Sequence, residues 1–114
     1  MPKPSSGSVR IFYPRFSREE VIERIQERLP LLAQSLPLQR VVLFGSYAKG
    51  NFTVASDIDL LVIYRGERNE QAYSLCKKIL GLPGLEPHPF SEAACLNNQE
   101  MIARMSEEGI LLFP

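Results

Sequence analysis

At 114 residues the chain is the size of one ordinary domain and too short for two independent cores. Its 45% hydrophobic content excludes wholesale disorder. Lys+Arg and Asp+Glu each total 13, and this zero net charge counts against unaided binding of long nucleic acid, where phosphate neutralisation dominates affinity.

Met1-Pro2-Lys3-Pro4-Ser5-Ser6-Gly7-Ser8 lacks the apolar stretch of a signal peptide. No apolar run approaches a membrane span, so a cytoplasmic, non-membrane protein is expected. Residues 1–10 read as a flexible tail and residues 11–114 as one domain. Ser17-Arg18-Glu19-Glu20 matches a capping box, and Val21, Ile22, Ile25 and Leu29 follow at helical spacing. Pro30 is expected to end or kink this helix, with a further turn to Ser35 before Pro37 stops it.

Val41-Val42-Leu43-Phe44, closed by Gly45, predicts a strand buried on both faces. Asp57 to Tyr64 predicts a second strand, and Glu70 to Leu80 a helix that Gly81-Leu82-Pro83-Gly84 breaks. Leu85 to Phe90 suits a strand only at a sheet edge, because Pro87 and Pro89 each lack a ladder donor. Ser91 suits a helix cap. Asn98 to Glu108 predicts the last helix, with Met101, Ile102 and Met105 on one face, before a short extended segment from Ile110 to Phe113. The whole predicts an α+β fold: a small mixed sheet with helices packed mainly on one face.

Chemistry concentrates in Phe44-Gly45-Ser46-Tyr47-Ala48-Lys49-Gly50 and Ser56-Asp57-Ile58-Asp59-Leu60. Residues two apart in a strand project from the same face, so Asp57 and Asp59 point the same way. Two like charges there favour a hard cation, and oxygen donors suit Mg²⁺. Gly45 lets backbone approach a ligand closely, and Ser46 adds a hydroxyl at amides that favour an anion. Neither Cys76 nor Cys95 lies in a metal or nucleophile pattern, so both read as free thiols. His88, the one histidine, reads as structural or exposed rather than as a base.

A buried strand, Gly45-Ser46, ten intervening residues and Asp57-x-Asp59 opening a second strand resemble the signature of the DNA polymerase beta superfamily. The stretch VVLFGSYAKGNFTVASDIDLLVIY is similar to MNT-type minimal nucleotidyltransferases, specifically over Val41 to Tyr64 and more loosely to Phe113. The resemblance implies a polymerase-beta-like palm fold and transfer of a nucleoside monophosphate, AMP from ATP or another NTP, to an acceptor hydroxyl. It implies that Gly45 and Ser46 hold the β- and γ-phosphates, and that Asp57 and Asp59 ligate two Mg²⁺ ions. It implies phosphate contact for Lys49, for which a solvated loop lysine is the alternative. Glu86 best matches the family's third carboxylate, catalytic and metal-binding. Relatives commonly carry Asp there, and a surface glutamate is the alternative.

Larger members of the superfamily bring a separate helical domain to shape the acceptor site, and 114 residues leave no room for one. The resemblance therefore implies a protein partner, often a HEPN toxin for which the MNT protein is antitoxin, or a homo-oligomer. Three functions stay open: a transferase acting on a HEPN-type partner, a catalytically weak or inactive module that masks such a partner, and a small-molecule transferase of the aminoglycoside-modifying kind.

Overall fold

In the computed structural model, which describes residues 16–114, Ser17 opens the first helix as the capping box requires. Its hydroxyl accepts from the Glu20 amide at 3.1 Å, and Glu20 Oε1 accepts from the Ser17 amide at 2.9 Å. The helix α1, Arg18–Ser35, runs through Pro30 without ending. Pro30 lies on the exposed face, so the carbonyl it leaves unpaired can bond water, while Val21, Ile25, Leu29 and Leu32 keep one buried stripe. The tail expected over residues 1–10 lies outside the described residues, as do positions 11–15 of the expected domain.

Strand β1, Leu38–Phe44, begins three residues before the apolar run that predicts it. Gln39 and Arg40 are exposed, and the register shifts between Leu38 and Arg40, so this first part carries no strand-like pattern. One turn of helix, α2 (Ser46–Lys49), follows, then β2 (Ile58–Tyr64) and helix α3 (Ala72–Leu80). Next come β3 (Leu85–Ser91), the single turn α4 (Glu92–Cys95), α5 (Gln99–Glu107) and β4 (Ile110–Phe113). Ser91 caps α4, its hydroxyl accepting from the Ala94 amide at 3.0 Å.

The four strands form one mixed sheet in the order β3-β2-β1-β4. β1 is antiparallel to both β2 and β4, while β2 and β3, joined by α3, are parallel. The prolines thus stand at an edge. Pro87 and Pro89, two apart, present their missing donors to the side without a neighbouring strand.

The sheet is buried from both sides, which is why its central strands read as continuous apolar runs. Val41, Leu43, Leu60, Val62 and Tyr64 form the larger core with α1 and α3. Val42, Leu61 and Ile63 form a smaller one beneath Ile102 and Met105 of α5. Full burial of each such side chain stabilises by about 1.5–3 kcal/mol. Met101, expected beside Ile102 and Met105, is instead 42% exposed. One residue is 100° of helix rotation, enough to carry it off the inward stripe. Among the described residues no helix is long and apolar enough to cross a membrane.

Candidate functional site

Where β1 ends, Gly45 adopts φ 76° and ψ −155°, a conformation essentially reserved for glycine. It turns the chain directly into α2, whose turn is closed by bonds from Lys49 N to Gly45 O and from Gly50 N to Ser46 O. Antiparallel pairing sets Phe44 opposite Asp59, so the carboxylate lies beside the turn. A Cβ built on Gly45 would stand 2.5 Å from Asp59 Oδ2 and 3.3 Å from its Cβ and Cγ. Glycine is therefore required twice, by the backbone angle and by the carboxylate against it.

Asp57 is exposed just ahead of β2, and Asp59, its second residue, is partly exposed, with the buried Ile58 between them. The parallel register places Glu86 directly beside Asp59 on β3. Glu86 lies at the sheet edge and accepts from the Tyr73 hydroxyl of α3, at 3.2 Å to each carboxylate oxygen. Lys49 is exposed at the end of α2 and forms no ion pair among the described residues. The expected Gly45 turn, Asp59 and Glu86 backbone thus come together, whereas the Glu86 carboxylate is engaged by Tyr73.

Two neighbours escape the sequence reading. His88 Nε2 lies 3.3 Å from Asp59 Oδ1, and its ring packs edge-on against Phe44 with centroids 5.0 Å apart. The two-residue alternation Glu86-Pro87-His88 is the signal that puts His88 on the Glu86 face. Tyr73 carries no such signal, because its place depends on how α3 crosses the edge strand.

Among the described residues, no three His, Cys, Asp or Glu side chains converge closely enough to enclose a metal unaided. Mg²⁺ takes one or two carboxylates and completes its octahedron with water and substrate phosphates. The donors are hard oxygens, and the Asp59 carboxylate lies against a turn that only glycine permits. The residues therefore fit such an ion together with a phosphate ligand.

The thiols take no part. Burial pushes Cys76 up to about 12, and Cys95 is raised by burial and then by Glu92, so neither supplies a ready thiolate. A cavity of about 350 Å³, lined by Tyr64, Arg68, Tyr73, Phe90 and Ser91, opens toward the ends of β2 and β3 away from Asp59, with Tyr73 between it and Glu86. Shape alone does not mark this site; the chemistry of its side chains does.

Residues 16–103 match the family described as the nucleotidyltransferase domain. A Methanocaldococcus jannaschii protein named "putative protein adenylyltransferase" is 32% identical over 81 residues, covering 67% of this chain and 79% of that protein. A second protein of that name and organism is 42% identical over 48 residues, 40% of this chain and 48% of its own. The crystal structure of a "putative nucleotidyltransferase" from Sulfolobus solfataricus has a TM-score of 0.58 at 22% identity, covering 82% of this chain and 80% of that one. A mutant form of the toxin–antitoxin MntA–HpeT has a TM-score of 0.50 at 19% identity, with 86% and 73% covered. At these identities the two structural likenesses bear on the fold.

Proposed function

The chain belongs to the nucleotidyltransferase-domain family, and from that premise we propose that it is a minimal nucleotidyltransferase of the MNT type that transfers AMP from ATP to a hydroxyl on a protein partner. The observation that carries this reading is the contact between turn and carboxylate: Asp59 Oδ2 packs so closely against Gly45 that a Cβ there would stand 2.5 Å from it. The names of the M. jannaschii relatives favour a protein acceptor, and a toxin–antitoxin among the structural neighbours favours a partner protein and an antitoxin-like role, the HEPN type being what the family resemblance adds. Zero net charge is consistent with both. A cytoplasmic location suits an ATP-dependent reaction.

In this reading the amides at Gly45 and Ser46, with the Ser46 hydroxyl, bind the β- and γ-phosphates and fix the triphosphate's direction. Asp57 and Asp59 would hold Mg²⁺. When bound, Mg²⁺ offsets the triphosphate charge and that of the departing pyrophosphate. Glu86, beside Asp59, takes the proton of the acceptor hydroxyl, which requires release of its Tyr73 bond or a shared position at it. Lys49 adds positive charge at the rim. Most of the rate enhancement comes from positioning and from charges already in place.

A second reading, a catalytically weak or inactive module that masks its partner, has one observation in its favour: the Glu86 carboxylate is occupied by Tyr73. Calorimetric titration with Mg-ATP decides between them. The transferase reading predicts binding that an Asp57→Asn/Asp59→Asn variant loses, and label from ATP on the partner protein. Absence of binding in both proteins leaves the masking module.

A further inference from the structure

We propose that His88 is a positioning residue for the Asp59 carboxylate, holding Oδ1 so that Oδ2 stays turned toward Gly45. The inference rests on the proposed function, which makes Asp59 a metal ligand, and adds a residue to it. A carboxylate oxygen only accepts, so the 3.3 Å contact requires the hydrogen on His88 Nε2. Asp59 then has both oxygens accounted for, one against the imidazole and the other 2.5 Å from the position a Cβ of Gly45 would take.

The imidazole is itself fixed from two directions. Its ring meets Phe44 edge-on at 61°, and Phe44 is the residue paired across from Asp59. Pro87 and Pro89 stand on either side of it, each locking its own φ and pressing the preceding residue into extended backbone. Those preceding residues are Glu86 and His88. The prolines that confine β3 to the sheet edge thus pre-organise the strand that carries both. In register, Asp59 faces Glu86 and Leu61 faces His88, so His88 reaches Asp59 along the diagonal of adjacent pairs.

Groups that hydrogen-bond a metal's carboxylate ligands set their orientation, and losing one typically weakens metal binding about 10- to 100-fold. Mn²⁺ serves as the probe, its affinity measured by titration calorimetry on wild type, His88→Leu, His88→Gln and Asp57→Asn/Asp59→Asn, with unfolding followed in chelator. The expected result is at least about a tenfold loss in His88→Leu and restoration in His88→Gln, whose amide offers an N–H at similar reach. Metal-free unfolding should be shared by both variants, since a purely structural role would lower it instead. If His88→Leu fails to fold, His88→Asn, too short to reach Asp59, takes its place. Wild-type affinity in His88→Leu, or equal weakness in His88→Gln, overturns the inference and leaves the proposed function standing. Mn²⁺ binding that ignores the Asp57 and Asp59 substitutions overturns both.

Discussion

The Tyr73 hydroxyl is hydrogen-bonded at 3.2 Å to both carboxylate oxygens of Glu86, the residue in register beside Asp59. Desolvation, and then the bond and charge of Glu86, raise the phenol above its ordinary value of 10.0. The raised value means the fold favours the neutral phenol. Its contribution to stability is complete below pH 10 and declines as pH climbs through the raised value.

Phenolate absorbance against pH should therefore lose one high-titrating tyrosine in Tyr73→Phe. In Glu86→Gln, Tyr73 should move only part of the way back, because desolvation is the larger cause. Titration of Tyr73 below its ordinary value would contradict the assignment. Under the proposed function, Tyr73→Phe also frees Glu86, and transfer to the partner should quicken rather than slow.

Gly45→Ala should lose Mg-ATP binding as well as stability. A residue other than glycine at this φ and ψ costs about 1–3 kcal/mol, and the new Cβ would push Asp59 out of place. Gly50→Ala separates the two effects. Gly50 has φ 85°, yet an added Cβ meets nothing nearer than Arg18 Nη1 at 3.6 Å. Gly50→Ala should lower the unfolding midpoint, though less than Gly45→Ala, and bind nucleotide as wild type does. Loss of binding in both variants would mean that backbone strain, rather than the Asp59 contact, explains Gly45.

Much of this arrangement is written locally in the chain, and the exceptions share a cause. Ser17 and Glu20 set the start of α1 through bonds three residues apart, and Pro87 and Pro89 confine β3 to an edge by chemistry that each carries alone. The closeness of Gly45 to Asp59 follows from two buried strands joined in antiparallel register. Of the outcomes open at Pro30, the helix takes the further turns to Ser35, because a helix breaker is tolerated where a buried stripe continues past it and its face is wet. The bonds from His88 to Asp59 and from Tyr73 to Glu86 are hidden because they depend on the parallel register of β2 with β3 and on the path of α3. Neither is a property of any short window.

Gly109→Ala tests packing away from the site. A Cβ there would meet Val42 Cγ1 at 2.4 Å and two backbone oxygens, of Leu43 and Met105, at 3.0 and 3.1 Å. Side chains yield more readily than main-chain oxygens, so we expect a loss of about 1–3 kcal/mol in denaturant unfolding. Adding Val42→Ala should recover little of it, because the backbone contacts remain. An unchanged midpoint in Gly109→Ala would show that α5 and β4 shift freely against β1.

The two cysteines should differ in reactivity. At neutral pH a thiol reagent should modify Cys95 first, and Cys76, on the buried face of α3, only as the protein unfolds. Cys76 is raised from 9.0 to about 12, so its share of stability is whole below pH 9.0 and fades as pH rises toward about 12. Wild type should lose stability across that window more steeply than Cys76→Ala. Parallel pH profiles would contradict it.

The central claim is that a triphosphate sits between the Gly45–Ser46 turn and the carboxylates of Asp57 and Asp59. A crystal structure with Mg²⁺ and a non-hydrolysable ATP analogue tests it most directly. We predict the β- and γ-phosphates on the amides of Gly45 and Ser46, with metal bridging them to Asp57 and Asp59. Nucleotide bound elsewhere, such as in the cavity between Tyr64 and Phe90, with those carboxylates bare, would contradict it.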